Sequence, residues 1–155
     1  MAIFIFACSE NKTAYGDIKS VGEAWDKDEV VSFEIPELDS IASYNVYLQL
    51  RNSHAYPYNN IFLIVNLEYP NGKQEIDTLE YRMAFPNGEW MGEGIGGIKE
   101  NLLWYKENFK FTESGNYKLS IEQAVRKNGQ LKGDSELIGI TDVGFRIDYT
   151  QNKED

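Results

Sequence analysis

The chain has one cysteine, Cys8, and one histidine, His54, in 155 residues. A single thiol excludes an internal disulfide. One Cys and one His are too few for the ligand sets of structural zinc. A nucleophile–His–acid triad needs an imidazole base. His54 stands beside Ser53, but neighbours in an extended loop point apart, so His54 reads as a hydrogen-bonding loop residue. No run of 18 or more apolar residues exists, so no segment is long enough to span a bilayer as an apolar helix. Positive charge is also scarce. Fifteen Lys and Arg stand against 25 Asp and Glu, a net charge of −10. Nucleic-acid binding needs Lys and Arg to displace counterions, and anionic lipid surfaces need the same residues. Nucleic acid is therefore not an expected partner, and any membrane attachment must be apolar or covalent.

The remaining chemistry is thin. Asp26-Lys27-Asp28-Glu29 and Gly133-Asp134-Ser135-Glu136 offer oxygen ligands without the spacing of a calcium loop. Gly92-Glu93-Gly94-Ile95-Gly96-Gly97 is glycine-rich but lacks the Lys-Ser/Thr of a phosphate loop. Paired carboxylates arise by chance among so many acids. The expectation is a protein that is no enzyme, with no catalytic residue, metal, cofactor or small-molecule substrate.

What is present is apolar and aromatic. Hydrophobic residues make up 42% and aromatic ones 14%, ten of them Tyr. This length and composition suit one globular domain with its own core, and aromatic rings favour strands. Val31–Ile35 alternates apolar and polar, and so does Tyr44–Leu50, with Tyr44, Val46, Leu48 and Leu50 facing inward. Ile61–Tyr69 begins as a continuous apolar run. Pro70-Asn71-Gly72-Lys73 predicts a hairpin, with a return strand from Gln74 to Tyr81. Pro86-Asn87-Gly88-Glu89 predicts a second turn. Leu102-Leu103-Trp104 fits a short helix or a strand equally well. Tyr117–Gln123 and Val143–Tyr149 are further strands, and Arg126–Ser135 is a charged loop. The fold class is all-β: a single β-sandwich, jelly-roll-like, over residues 25–150, with a flexible tail at 151–155.

The chain opens Met1-Ala2-Ile3-Phe4-Ile5-Phe6-Ala7-Cys8, followed by polar Ser9-Glu10-Asn11-Lys12. An apolar run, a small residue and then a cysteine form the end of a bacterial lipoprotein signal. The apolar stretch is short and has no Lys or Arg before it, unlike a full secretory signal. The alternative is an N-terminal strand ending in a buried thiol. The preferred reading makes residues 1–7 a signal-peptide remnant, Cys8 the lipidated residue, and 8–24 a lipid-anchored tether. Several acyl chains at one residue give stable anchoring where one chain does not.

Candidate interaction residues lie in two loops. Arg51 and Asn52 close a strand and lead to Tyr56-Pro57-Tyr58. Arg51 would hold that loop through carbonyls or through Asp77. Trp90 lies among Gly92 and Gly94, which permit close backbone approach. Trp25, Trp90 and Trp104 with Tyr56 and Tyr58 would suit a platform for a sugar or a partner protein.

Several ordered segments resemble one family. They are Arg51-Asn52 with Tyr56-Pro57-Tyr58-Asn59-Asn60-Ile61-Phe62-Leu63, then Asp77–Tyr81, then Gly88-Glu89-Trp90-Met91-Gly92-Glu93-Gly94. Gln123–Arg126 and Leu137–Gly144 complete the set. With Cys8, the chain resembles the GldH gliding motility lipoproteins of Bacteroidota over Cys8–Tyr149. The resemblance implies a cell-envelope, membrane-anchored lipoprotein facing the periplasm. Its partners would be other envelope proteins of the gliding and secretion apparatus, bound without catalysis. The competing expectation is a carbohydrate-binding β-sandwich module on the envelope.

Overall fold

Side chains alternate in and out of the core along the long strands, as a two-residue period requires. The computed structural model describes residues 12–94, 96–125 and 136–150. Its strands are β1 Thr13–Ser20, β2 Ala24–Asp26, β3 Val31–Ile35, β4 Tyr44–Ser53 and β5 Asn60–Glu68. They continue as β6 Gln74–Arg82, β7 Ile98–Phe109, β8 Tyr117–Gln123, β9 Glu136–Ile138 and β10 Ile140–Tyr149. Two four-stranded antiparallel sheets have the orders β1-β10-β4-β7 and β3-β8-β5-β6, and β2 pairs with β9 as a separate ribbon. Setting the ribbon aside, the eight strands alternate between sheets as first-eighth-third-sixth and second-seventh-fourth-fifth. That is the order of a jelly roll, two interlocked Greek keys. The expected all-β, jelly-roll-like sandwich is therefore the fold.

One boundary differs. The expected tether, residues 8–24, contains β1: Thr13–Ser20 are hydrogen-bonded along β10. Ala24 and Trp25 enter the ribbon with Ile138 and Leu137. The strand escaped the sequence pattern because no residue of β1 is fully buried and only Ala14, Tyr15 and Ile18 are half-buried, out of alternation. The expectations for residues 1–7, for Cys8, for the 126–135 loop and for the 151–155 tail lie outside the described residues. Leu102-Leu103-Trp104 belong to a strand, β7.

The core lies between the two large sheets. Tyr44, Val46, Leu48 and Leu50 of β4 are buried, as their alternation predicts. They face Ile61, Leu63 and Val65 of β5 and Leu119 and Ile121 of β8 across the same cluster. The Phe33 and Phe145 rings meet edge-on at 5.1 Å and join the sheets. Full burial of each such side chain contributes roughly 1.5–3 kcal/mol.

Antiparallel pairing decides which connections share an end. The β4–β5 and β6–β7 connections lie at one end, with the β1–β3 and β8–β10 connections that carry the ribbon. The β3–β4, β5–β6 and β7–β8 turns lie at the other. Thr13 pairs with Asp148, and the Tyr149 N–H donates to the Lys12 carbonyl at 2.9 Å. Both ends of the described domain thus leave at the hairpin end, opposite the loop end.

Candidate functional site

The loop end is built on close backbone contacts. Gly139, between β9 and β10, has φ 91°. A Cβ added there would lie 2.2 Å from the Tyr56 nitrogen. The Ser53 N–H donates to the Gly139 carbonyl at 2.8 Å. The β9–β10 corner therefore presses on the β4–β5 loop and fixes Tyr56. The Tyr56 hydroxyl donates to the Asn60 carbonyl across the loop, at 2.5 Å.

The β6–β7 connection packs beside it. The Met83 and Ala84 N–H groups both donate to the Asn59 carbonyl, at 2.6 and 3.1 Å. Ala84 bridges Trp90, whose indole N–H donates to His54 Nδ1 at 3.1 Å. The rings of Tyr56 and Trp90 lie 6.1 Å apart, and those of Tyr56 and Tyr58 lie 5.8 Å apart. The loop pair proposed from sequence is thus one connected aromatic cluster with His54 at its rim.

The candidate residues divide by burial. Tyr58 and Trp90 are half-buried, while Tyr56 is buried at 3% exposure and Asn52 at 0%. Neither Tyr56 nor Asn52 can present its side chain to a partner, so the expectation of contact is corrected for both. Asn52 points into the interior because inward alternation on β4 continues through it. Its Oδ1 accepts from Asn101 Nδ2 at 2.9 Å, and Asn101 Nδ2 also donates to the Leu50 carbonyl at 3.2 Å. Arg51 points outward to Glu100, 3.7 Å away, and not to Asp77. Asp77 instead lies 3.9 Å from Lys106.

Gly92 and Gly94 serve close approach. A Cβ on Gly92 would lie 2.7 Å from Asn101 Oδ1, and one on Gly94 2.8 Å from the Ile98 carbonyl. Without side chains there, Glu93 and Glu100 exchange backbone hydrogen bonds at 2.9 and 2.8 Å. The segment caps part of the exposed edge of β7, as an edge strand requires.

A platform of three tryptophans does not assemble. Trp25 is fully buried, with its indole donating to the Glu29 carbonyl at 2.9 Å. Trp104 is 54% exposed on the outer face of its sheet, its ring 4.6 Å from that of Tyr47. Of the three, Trp90 alone is partly exposed at the loop end. Asp26-Lys27-Asp28-Glu29 is a turn in which Asp26 Oδ1 accepts from the Asp28 N–H. Among the described residues no three His, Cys, Asp or Glu side chains group as metal ligands.

Sequence reasoning missed two features. The first is a groove of about 690 Å³ at the loop end. Pro57, Tyr58 and Asn59 form one wall, Ala84, Phe85 and Pro86 the other, and Asn60, Glu80 and Arg82 the floor. Its signal was the Pro86-Asn87-Gly88 turn, which thrusts Phe85 outward, 46% exposed. The second is a polar cluster where β6 and β7 flank the open side of the sandwich. Lys106 donates to Glu75 at 2.6 Å, and Tyr69 donates to the other Glu75 oxygen at 2.9 Å. The Lys106 hydrogen bond holds the Glu75 carboxyl below its ordinary value. Burial raises the Tyr69 and Tyr105 phenols, and pushes Tyr81 up to about 12.

Fold and loops together define a jelly-roll domain with an aromatic loop cluster at one end. Comparison with known proteins places it more narrowly. The profile of the GldH lipoprotein family matches residues 13–147, and the chain belongs to that family. It is 51% identical over 150 residues to the gliding motility lipoprotein GldH homolog of Christiangramia forsetii, covering 97% of this chain and 92% of the relative. It is 52% identical over 147 residues to the gliding motility lipoprotein GldH of Flavobacterium johnsoniae, covering 95% and 91%. Among solved structures, a chain of the infectious bursal disease virus particle aligns with TM-score 0.41 and 13% identity. That alignment covers 95% of this chain but only 35% of the viral one, so the chain spans about a third of its length.

Proposed function

We propose that this protein is a lipid-anchored component of the gliding motility machinery. It acts by holding other envelope proteins at its loop end, without catalysis. The names of its relatives support the motility role and the lipoprotein character. The observation that carries the mechanical reading is polarity. Both ends of the described domain leave at the hairpin end, while the Tyr58–Trp90 cluster sits at the other. The ten residues of β10 separate these ends by roughly 33 Å. A lipid on Cys8 would tie down the hairpin end, since the five residues to Thr13 reach at most about 18 Å. The loops would then face away from the bilayer, into the periplasm, where a partner can meet them.

The test uses cells. Cys8→Ser should move the protein from the membrane to the soluble fraction and reduce gliding. Trp90→Ser should leave fractionation intact and still impair gliding. Normal gliding in both variants would remove the anchor and the loop end from the mechanism.

A further inference from the structure

The groove between Pro57–Asn59 and Ala84–Pro86 has features that no part of the sandwich requires. Its volume, about 690 Å³, falls within the range of preformed ligand sites. Five of its nine lining residues are apolar or aromatic: Pro57, Tyr58, Ala84, Phe85 and Pro86. Its walls are rigid. Two prolines fix φ, and the Phe85 N–H donates to the Glu89 carbonyl at 2.8 Å to close the turn behind one wall. The Asn59 carbonyl, taking two N–H groups, ties one wall to the other.

The polar floor is largely committed. Asn60 Nδ2 donates to Glu80 Oε2 at 2.8 Å. Among the described residues no side chain or carbonyl engages the Arg82 guanidinium, which is exposed at the end of β6. It also borders the neighbouring groove beside Glu93 and Glu100. A planar, always-charged fork left open in the same groove as the exposed Phe85 side chain matches a carboxylate next to an apolar side chain.

We propose that this groove docks an extended acidic segment of a partner protein, in which an apolar side chain lies within two residues of an Asp or Glu. The apolar side chain would lie between Tyr58 and Phe85, and the carboxylate would take Arg82 in bidentate fashion. This rests on the reading that the loop end binds envelope proteins. It deepens that reading by naming the groove and the chemistry of the bound segment. In a chain of net charge −10, Arg82 gives this groove a cation that a carboxylate can meet.

The probe is a random-peptide phage library selected on the full-length protein, with enriched peptides then synthesised and titrated. The expected result is enrichment of peptides pairing an apolar residue with Asp or Glu. Arg82→Ala and Phe85→Ser should each weaken binding by about tenfold or more, with unchanged thermal melting, since both side chains are exposed. Arg82→Lys should retain part of the affinity. Failure to enrich such peptides, or binding indifferent to Arg82→Glu, overturns the proposal. So does tight binding of polygalacturonate that is lost in Arg82→Ala while peptides do not bind, because it makes the groove a glycan site. A Trp90→Ser gliding assay keeps the two readings distinguishable. If peptides fail but Trp90→Ser still impairs gliding, the groove falls and the loop-end reading stands.

Discussion

Four glycines separate two effects that a sequence cannot tell apart. Gly72 and Gly88 have φ of 92° and 88° and open space where a Cβ would go. Gly144 has no positive φ, but a Cβ there would lie 2.3 Å from the Asp17 carbonyl, where β1 runs beside β10. Gly139 combines both penalties. Substitution by Ala at 72 or 88 should therefore cost on the order of 1 kcal/mol, the backbone term alone. Gly139→Ala should cost clearly more, about 3 kcal/mol or above, because the β9–β10 corner must lift off Tyr56. Denaturant titration of the three variants measures this; equal losses would show that the Tyr56 contact does not matter. The Asn52–Asn101 pair supplies a second comparison. Asn101→Leu leaves the buried Asn52 amide short of a partner and should cost about 1–3 kcal/mol. Asn52→Leu with Asn101→Leu should recover part of that loss, since removing both polar partners removes the unmet demand.

At the scale of elements, most of the sandwich was readable and the exceptions share a cause. β3, β4, β5 and β8 each carry one face that is wholly buried, and β10 buries Val143, Phe145 and Ile147 in alternation, so the pattern announces them. The two turns were readable because Tyr69-Pro70-Asn71-Gly72-Lys73 and Phe85-Pro86-Asn87-Gly88-Glu89 repeat one local chemistry. In each, the first N–H donates to the fifth carbonyl at 2.8 Å, and the Asn side chain accepts from the fifth N–H, at 2.9 and 3.0 Å. β1 was hidden because none of its residues is fully buried. β7 was ambiguous because Leu102 and Trp104 are exposed on its outer face while Leu103 turns inward. The burial of Trp25 and Tyr56 was not readable, since it depends on β9 and Gly139, more than eighty residues away. Likewise the Glu75–Lys106 contact joins two sheets that no local pattern relates. Its consequence is testable. Glu75 titrates below its ordinary value in the fold, so its contribution is present above the unfolded carboxylate range and is lost as pH falls through the folded value. Stability of the native chain should therefore decline from about pH 5 downward. Lys106→Met should weaken that decline, by on the order of 1 kcal/mol or less given the pair's partial exposure. Parallel pH–melting curves for the two proteins would remove Lys106 as the cause.

At the scale of the molecule, the decisive property is that the two ends differ. The repeated turn provides a matched pair of reporters for it. Asn71 sits in the β5–β6 hairpin and Asn87 in the β6–β7 connection, with the nine residues of β6 between their turns. That spacing is roughly 30 Å, and the local chemistry at the two sites is nearly identical. A lipid on Cys8 would occupy the thiol and leave Asn71→Cys and Asn87→Cys as unique labelling positions. With lipidated protein on vesicles, a fluorophore at 71 should transfer energy strongly to an acceptor on the lipid headgroups. The same fluorophore at 87 should transfer weakly. If the domain instead lay flat on the bilayer, the two positions would transfer alike. If it stood inverted, position 87 would transfer the more strongly. Either result would detach the Tyr58–Trp90 cluster and the Arg82 groove from the role of a membrane-distal surface, because the reach of a partner depends on which end faces it.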